Sequence, residues 1–227
     1  MPIFLLGEEP VFPPPELASP EGIIAVGGDL SPQRLLNAYA AGIFPWYSEG
    51  EPILWWSPDP RLVLFPGEVH ISKRMKRIIN KKLFHLTCDC RFKEVIEKCR
   101  QPRPTQPRTW ITDDIQEAYV HLHNMGYAHS VEVWQNKKLV GGLYGVSLGK
   151  CFFGESMFSH VANASKFAFI RFFQRLFQSG FIMVDCQVPS LHLKRLGARE
   201  IPRTEFLLLL EQGLTYKTLK GKWEFFL

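Results

Sequence analysis

The chain lacks every paired-cysteine pattern. Its five cysteines (Cys88, Cys90, Cys99, Cys151, Cys186) are odd in number and scattered, with no Cys-x-x-Cys among its 227 residues. That excludes a disulfide framework and a zinc knuckle, and reduced thiols are expected. The histidines supply no metal site either, since His121 and His123 stand two apart on an expected helix and point to different faces. No apolar run approaches the roughly 20 residues that span a bilayer. Met1 to Gly7 is short and without the basic start of a signal peptide, so a cytoplasmic protein with no membrane role is expected. Repeats and low-complexity tracts are missing, and no heptad pattern argues for a dimer, so a monomer is expected.

Acidic residues are also missing over one long interval. Between Glu68 and Asp89 the chain carries Lys73, Arg74, Lys76, Arg77, Lys81 and Lys82, which exceed the whole net charge of +5. Ser72 can cap a helix there, and Met75, Ile78 and Ile79 supply its inward stripe. A solvated helix face is the plain reading. The lack of any neutralising acid favours a patch that grips a nucleic-acid backbone.

The remaining pattern is that of an α+β protein. Residues 1–60 read as a small N-terminal module, with extended chain over 8 to 22 and a helix from Ser31-Pro32 to Gly42. Residues 61–227 read as one larger domain with a mainly antiparallel sheet. It opens with a strand at Leu62 to Leu64 and the basic helix. Further helices are expected over Phe92 to Cys99 and Asp113 to Met125, around a proline-rich loop from Gln101 to Arg108. Three antiparallel strands follow, over Ser130 to Trp134, Lys138 to Ser147 and Lys150 to Ser156. A helix from Ala162 to Gln178, a strand from Phe181 to Cys186 and a helix from Ser190 to Leu196 complete the domain. Meander, helix, strand, helix is the order of the GNAT acyltransferase core, an analogy of fold alone. The link His160 to Ser165 holds no glycine, so a pyrophosphate cradle is not expected and neither is CoA or another cofactor.

Three features carry chemistry. From Gly42 to Arg61 the chain holds Trp46, Trp55 and Trp56 with Pro45, Pro52, Pro58 and Pro60. Rigid, aromatic-dense chain suits a stacking surface, and equally a corner between two packed units. The helix after the meander is too apolar for one stripe. Phe169 and Phe172, with Leu143 and Phe153 of the meander, could wall a pocket or fill a core. Glu155 and Asp185 stand near the ends of neighbouring strands among apolar residues, where a carboxylate must be hydrogen-bonded or beside a cation. Gln187 shares the side of Asp185 if the strand continues. Such a group suits a cationic amine, or a structural helix cap.

The stretch Gly42 to Arg61 also carries a resemblance, together with Gly27-Gly28-Asp29-Leu30-Ser31-Pro32, Thr109-Trp110-Ile111-Thr112, Gly141-Gly142-Leu143-Tyr144-Gly145, Gly154 to Ser159, Asn163-Ala164-Ser165-Lys166 and Asp185-Cys186-Gln187-Val188. In these the chain resembles the bacterial leucyl/phenylalanyl-tRNA–protein transferases, from about Gly22 to Pro202. The resemblance implies transfer of Leu or Phe, and less well Met, from Leu-tRNA or Phe-tRNA to proteins with N-terminal Arg or Lys, marking them for degradation. It implies Asp185 and Gln187 as the proton-handling and orienting pair, with Glu155 holding the substrates. Trp46, Trp110, Tyr119 and Tyr39 would bind substrate, and Leu143, Phe153, Phe169 and Phe172 would line the side-chain pocket. The family often has Met where this chain has Leu143. The basic helix would hold tRNA without reading its sequence. Asp185 could act as a general base, directly or through Gln187, or only position the amine while a ribose hydroxyl relays protons. Two other readings remain open on residue types: a transferase with a small-molecule or cell-wall peptide acceptor, and a tRNA-binding protein without catalysis.

Overall fold

A computed structural model of the chain describes residues 3–102 and 109–223. Most of the expected proline-rich loop thus lies outside the described residues, as do Phe225 and Phe226 of the tail. The N-terminal part contains β1 (Phe4–Leu6), β2 (Ile23–Gly27), α1 (Pro32–Ala40), β3 (Phe44–Pro45) and β4 (Leu54–Trp56). Its sheet runs β1-β2-β4-β3, an element that the sequence patterning does not reveal. Strands of two to five residues broken by prolines show no alternation to read. α1 begins as expected, with Ser31 accepting the Arg34 N–H and Pro32 opening the helix.

The larger part follows with β5 (Arg61–Leu64), α2 (Lys73–Asn80), β6 (His85–Cys88), α3 (Phe92–Arg100), α4 (Asp113–Asn124), β7 (Ala128–Gln135), β8 (Lys138–Leu148), β9 (Cys151–Ser159), α5 (Ala164–Gln178), β10 (Met183–Gln187), α6 (Leu191–Lys194), β11 (Arg199–Ile201) and α7 (Arg203–Leu214). The strands order β11-β5-β10-β9-β8-β7-β6. In this sheet, among the described residues, only β9 and β10 pair in parallel, as a helical crossover between them requires. The short strands β6 and β11 and the helix α7 are absent from the sequence reading.

The large sheet is apolar on both faces. Phe152, Val184, Leu62 and Leu64 pack under the aromatic helix α5, while Phe153, Met183 and Val63 face α1, α3, α4 and the small sheet. Adjacent residues in each strand thus enter different cores, as the pleat dictates. Trp223, fully buried, closes the α5 side, while the chain from Thr215 to Lys222 that leads to it runs largely over the surface. Gly197 has φ +112°, and a Cβ there would fall 1.9 Å from the Glu68 carbonyl oxygen. This close approach ties the end of α6 to the segment leading into α2, where His70 N–H donates to Leu196 O. Among the described residues no helix is long and apolar enough to cross a membrane.

Candidate functional site

β9 and β10 run side by side only as far as Asp185 opposite Phe153. Each then departs from regular pairing. On β9, Gly154 pairs with Gly145 and Ser156 with Tyr144, so Glu155 is an extra residue. On β10, Asp185 pairs with Val63 and Gln187 with Leu62, so Cys186 is the extra one. Two bulges on neighbouring strands re-aim their side chains and part the sheet. A cavity of about 480 Å³ opens where the strands separate. That size suits a small ligand.

Glu155 lies within β9 rather than at its end, half-buried in the cavity wall. The hydroxyl of Tyr39 donates to its Oε1 at 2.7 Å and that of Tyr119 to its Oε2 at 3.0 Å. The two tyrosine hydroxyls also touch each other. Gln187 Nε2 donates to Oε1 at 2.9 Å. Burial pushes the Glu155 carboxyl up to about 7, against the pull of the tyrosine hydrogen bonds and with help from the Asp185 charge. Burial and the nearby Glu155 charge hold both phenols well above their ordinary range, so they remain protonated donors.

Asp185 is placed differently from Gln187. The strand does not continue straight, and Gln187 adopts φ +64°, so the two side chains part. Asp185 is fully buried, with Oδ1 accepting from Arg61 Nε at 2.8 Å and Oδ2 from Arg61 Nη2 at 2.6 Å. Oδ1 also accepts the Gln187 backbone N–H at 2.8 Å. Arg61 sits between the rings of Phe44 and Phe206, 4.8 and 4.5 Å from their centroids. Arg61 is absent from the sequence-derived site. Its signal is there in retrospect: one cation opens the buried strand Arg61-Leu62-Val63-Leu64, and a cation so placed requires a partner.

Trp46 and Trp110 stand on the cavity wall, Trp46 at 39% exposure. The backbone oxygen of Trp46 accepts from Trp56 Nε1 at 2.6 Å, which fixes the loop. Leu143 and Phe169 line the cavity; Phe153 and Phe172 lie behind it. Phe153 supports the Tyr39 ring at 5.0 Å, and Phe172 packs on Phe152 at 5.3 Å. Phe173, from the aromatic helix expected to wall a pocket, lines the cavity, and Met157, Cys186 and His192 line it without having been singled out from sequence. Cys186 and His192 reach it through the bulge on β10 and the chain turn into α6. Lys73, Arg74, Lys76 and Arg77 project from α2 and are exposed, and Lys81 and Lys82 follow at its end. None of the six forms an ion pair among the described residues.

A family model described as leucyl/phenylalanyl-tRNA protein transferase matches residues 63–211, and the model of that transferase's N-terminal domain matches residues 28–59. The leucyl/phenylalanyl-tRNA–protein transferase of Syntrophus aciditrophicus is 57% identical over 224 residues, covering 98% of this chain and 94% of its own. Those of Anaeromyxobacter sp. strain K and Myxococcus xanthus are 53% and 52% identical, covering 99% and 98% of this chain and 97% of each relative. Among solved structures, a GCN5-related N-acetyltransferase from Kribbella flavida aligns with 78% of this chain and 63% of its own, at 10% identity and a TM-score of 0.35, too distant a likeness to carry an argument. With both family models matched and half or more of the residues shared with these relatives along their whole length, the chain belongs to the leucyl/phenylalanyl-tRNA–protein transferase family.

Proposed function

We propose that this aminoacyltransferase moves Leu or Phe from aminoacyl-tRNA to the N-terminal amine of proteins beginning with Arg or Lys, in the cytoplasm, as a mark for degradation. The observation that carries the reading is one cavity with apolar walls at one side and the Glu155–Gln187 pair at another. Leu143, Phe169, Met157 and Phe173 receive the aminoacyl side chain, and Trp46 and Trp110 offer faces to the terminal adenosine. Glu155 receives the cationic acceptor. The donor ester is already activated, so the residues need only align the amine, manage its protons and exclude water. Phosphates of the tRNA lie along α2, whose cations form no ion pair among the described residues.

Asp185 acts in this scheme as an orienting group. Both its oxygens are committed to Arg61 and one also to the Gln187 backbone, so it fixes the bulge that aims the Gln187 amide. The test is transfer of radiolabelled leucine from Leu-tRNA to a protein starting with Arg, beside the same protein starting with Ala. Label on the Arg protein alone is expected. Label on neither, with salt-sensitive tRNA binding retained, would overturn the reading.

A further inference from the structure

Glu155, Tyr39 and Tyr119 make three mutual oxygen–oxygen contacts. Each hydrogen bond needs one proton of its own, and a phenol has one to give. When Glu155 is ionised, two phenol protons must serve three contacts. If both tyrosines donate to the carboxylate, their own hydroxyl oxygens face each other with no proton between them. When Glu155 is protonated, the count closes. Oε2–H donates to Tyr119, Tyr119 O–H donates to Tyr39, and Tyr39 O–H donates to Oε1, which also accepts the Gln187 amide. All four contacts are then satisfied in one direction.

We propose that Glu155, closed into a proton ring with Tyr39 and Tyr119, is the group that takes the proton from the acceptor's N-terminal ammonium. Glu155 and Gln187 face the cavity, whereas the tyrosines are fully buried behind them, so the ring is open to substrate only at the carboxyl. The ammonium gives one proton to ionised Glu155, which completes the ring. The freed nitrogen lone pair attacks the ester carbonyl carbon. The N–C bond forms, the C–O bond to the tRNA ribose breaks, and the second amine proton leaves with the ribose oxygen as a hydroxyl. Glu155 then returns its proton to water. Burial already brings the carboxyl near the range of an N-terminal amine, whose ordinary value is about 7.7–8.0, so the transfer is nearly balanced.

This inference rests on the transferase reading, and the experiment separates the two. The carboxylic acid C=O stretch of Glu155 is followed by infrared difference against Glu155→Gln, on the enzyme alone, from pH 5 to 9. A protonated band that fades through about 7 is expected. In Tyr39→Phe the ionised form loses a donor, so the midpoint should rise by on the order of one pH unit. The acid limb of the single-turnover rate should move with it, and Glu155→Gln should slow transfer by roughly 10²–10⁴-fold. A carboxylate ionised throughout, or a midpoint unmoved in Tyr39→Phe, overturns the ring while leaving transfer by the wild type untouched. An infrared midpoint as described in an enzyme that transfers nothing overturns the transferase reading, and with it the ring's catalytic role.

Discussion

A guanidinium fully enclosed between two phenylalanine rings requires a carboxylate, and Arg61 finds Asp185 across 124 positions of sequence. Removing one partner strands the other's charge. Asp185→Ala should therefore cost about 3–5 kcal/mol in urea unfolding, far more than a surface substitution. Glu155 makes the opposite prediction. Its folded value lies above its ordinary 4.5, so protonation favours the fold, and stability falls as pH rises toward about 7, then levels. Glu155→Gln, a neutral stand-in for the protonated form, should be more stable than wild type at pH 8, with the gap closing toward pH 5, as read by thermal melts. The acidic residues themselves were legible in the sequence, because carboxylates in apolar strands demand an explanation. Their partners were not, since Tyr39, Tyr119 and Arg61 reach them only through tertiary packing.

Element by element, the long helices and the meander are readable because their periodicity is sustained. α2 to α5 and β7 to β9 start and stop close to their expected limits, set by Ser72, Thr112 and the turn at Asn136-Lys137. The bulges are not readable. One extra residue in a strand leaves no compositional trace when it is a glutamate or a cysteine rather than a glycine. Gln187 tests the second bulge. Gln187→Gly accepts φ +64° without strain but lacks the amide, so it should fold as well as wild type and transfer poorly. Gln187→Val should be destabilised by about 1–3 kcal/mol, because a β-branched residue resists that conformation. For α2, a double Arg74→Gln, Arg77→Gln variant should flatten the salt dependence of tRNA binding by a log–log slope of about 2. Its melting temperature should stay unchanged, since both side chains are exposed.

Across the whole molecule, the site depends on surfaces far from it. Trp223 stacks on His129 at 3.6 Å and lies against Phe152, Phe172 and Phe181, behind the cavity wall. Asp89 accepts its backbone N–H at 2.8 Å. Trp223→Ala should cost about 3–5 kcal/mol in chemical denaturation, and should loosen the preference between Leu and Phe donors by freeing Phe172. On the other face, one apolar cluster runs from β2, α1 and β4 through α3 and α4 to the large sheet, so the two sheets share an interior. Tyr39 crosses that interior to meet Tyr119 and Glu155, and Glu155 in turn meets Gln187, four residues in ascending order along the chain. During synthesis, then, the reacting centre is finished only after Gln187 has left the ribosome, and its backing wall only after Trp223. A product released before Gln187 would hold the basic helix α2 but no complete centre. Transferase activity thereby falls to copies whose synthesis has passed Trp223.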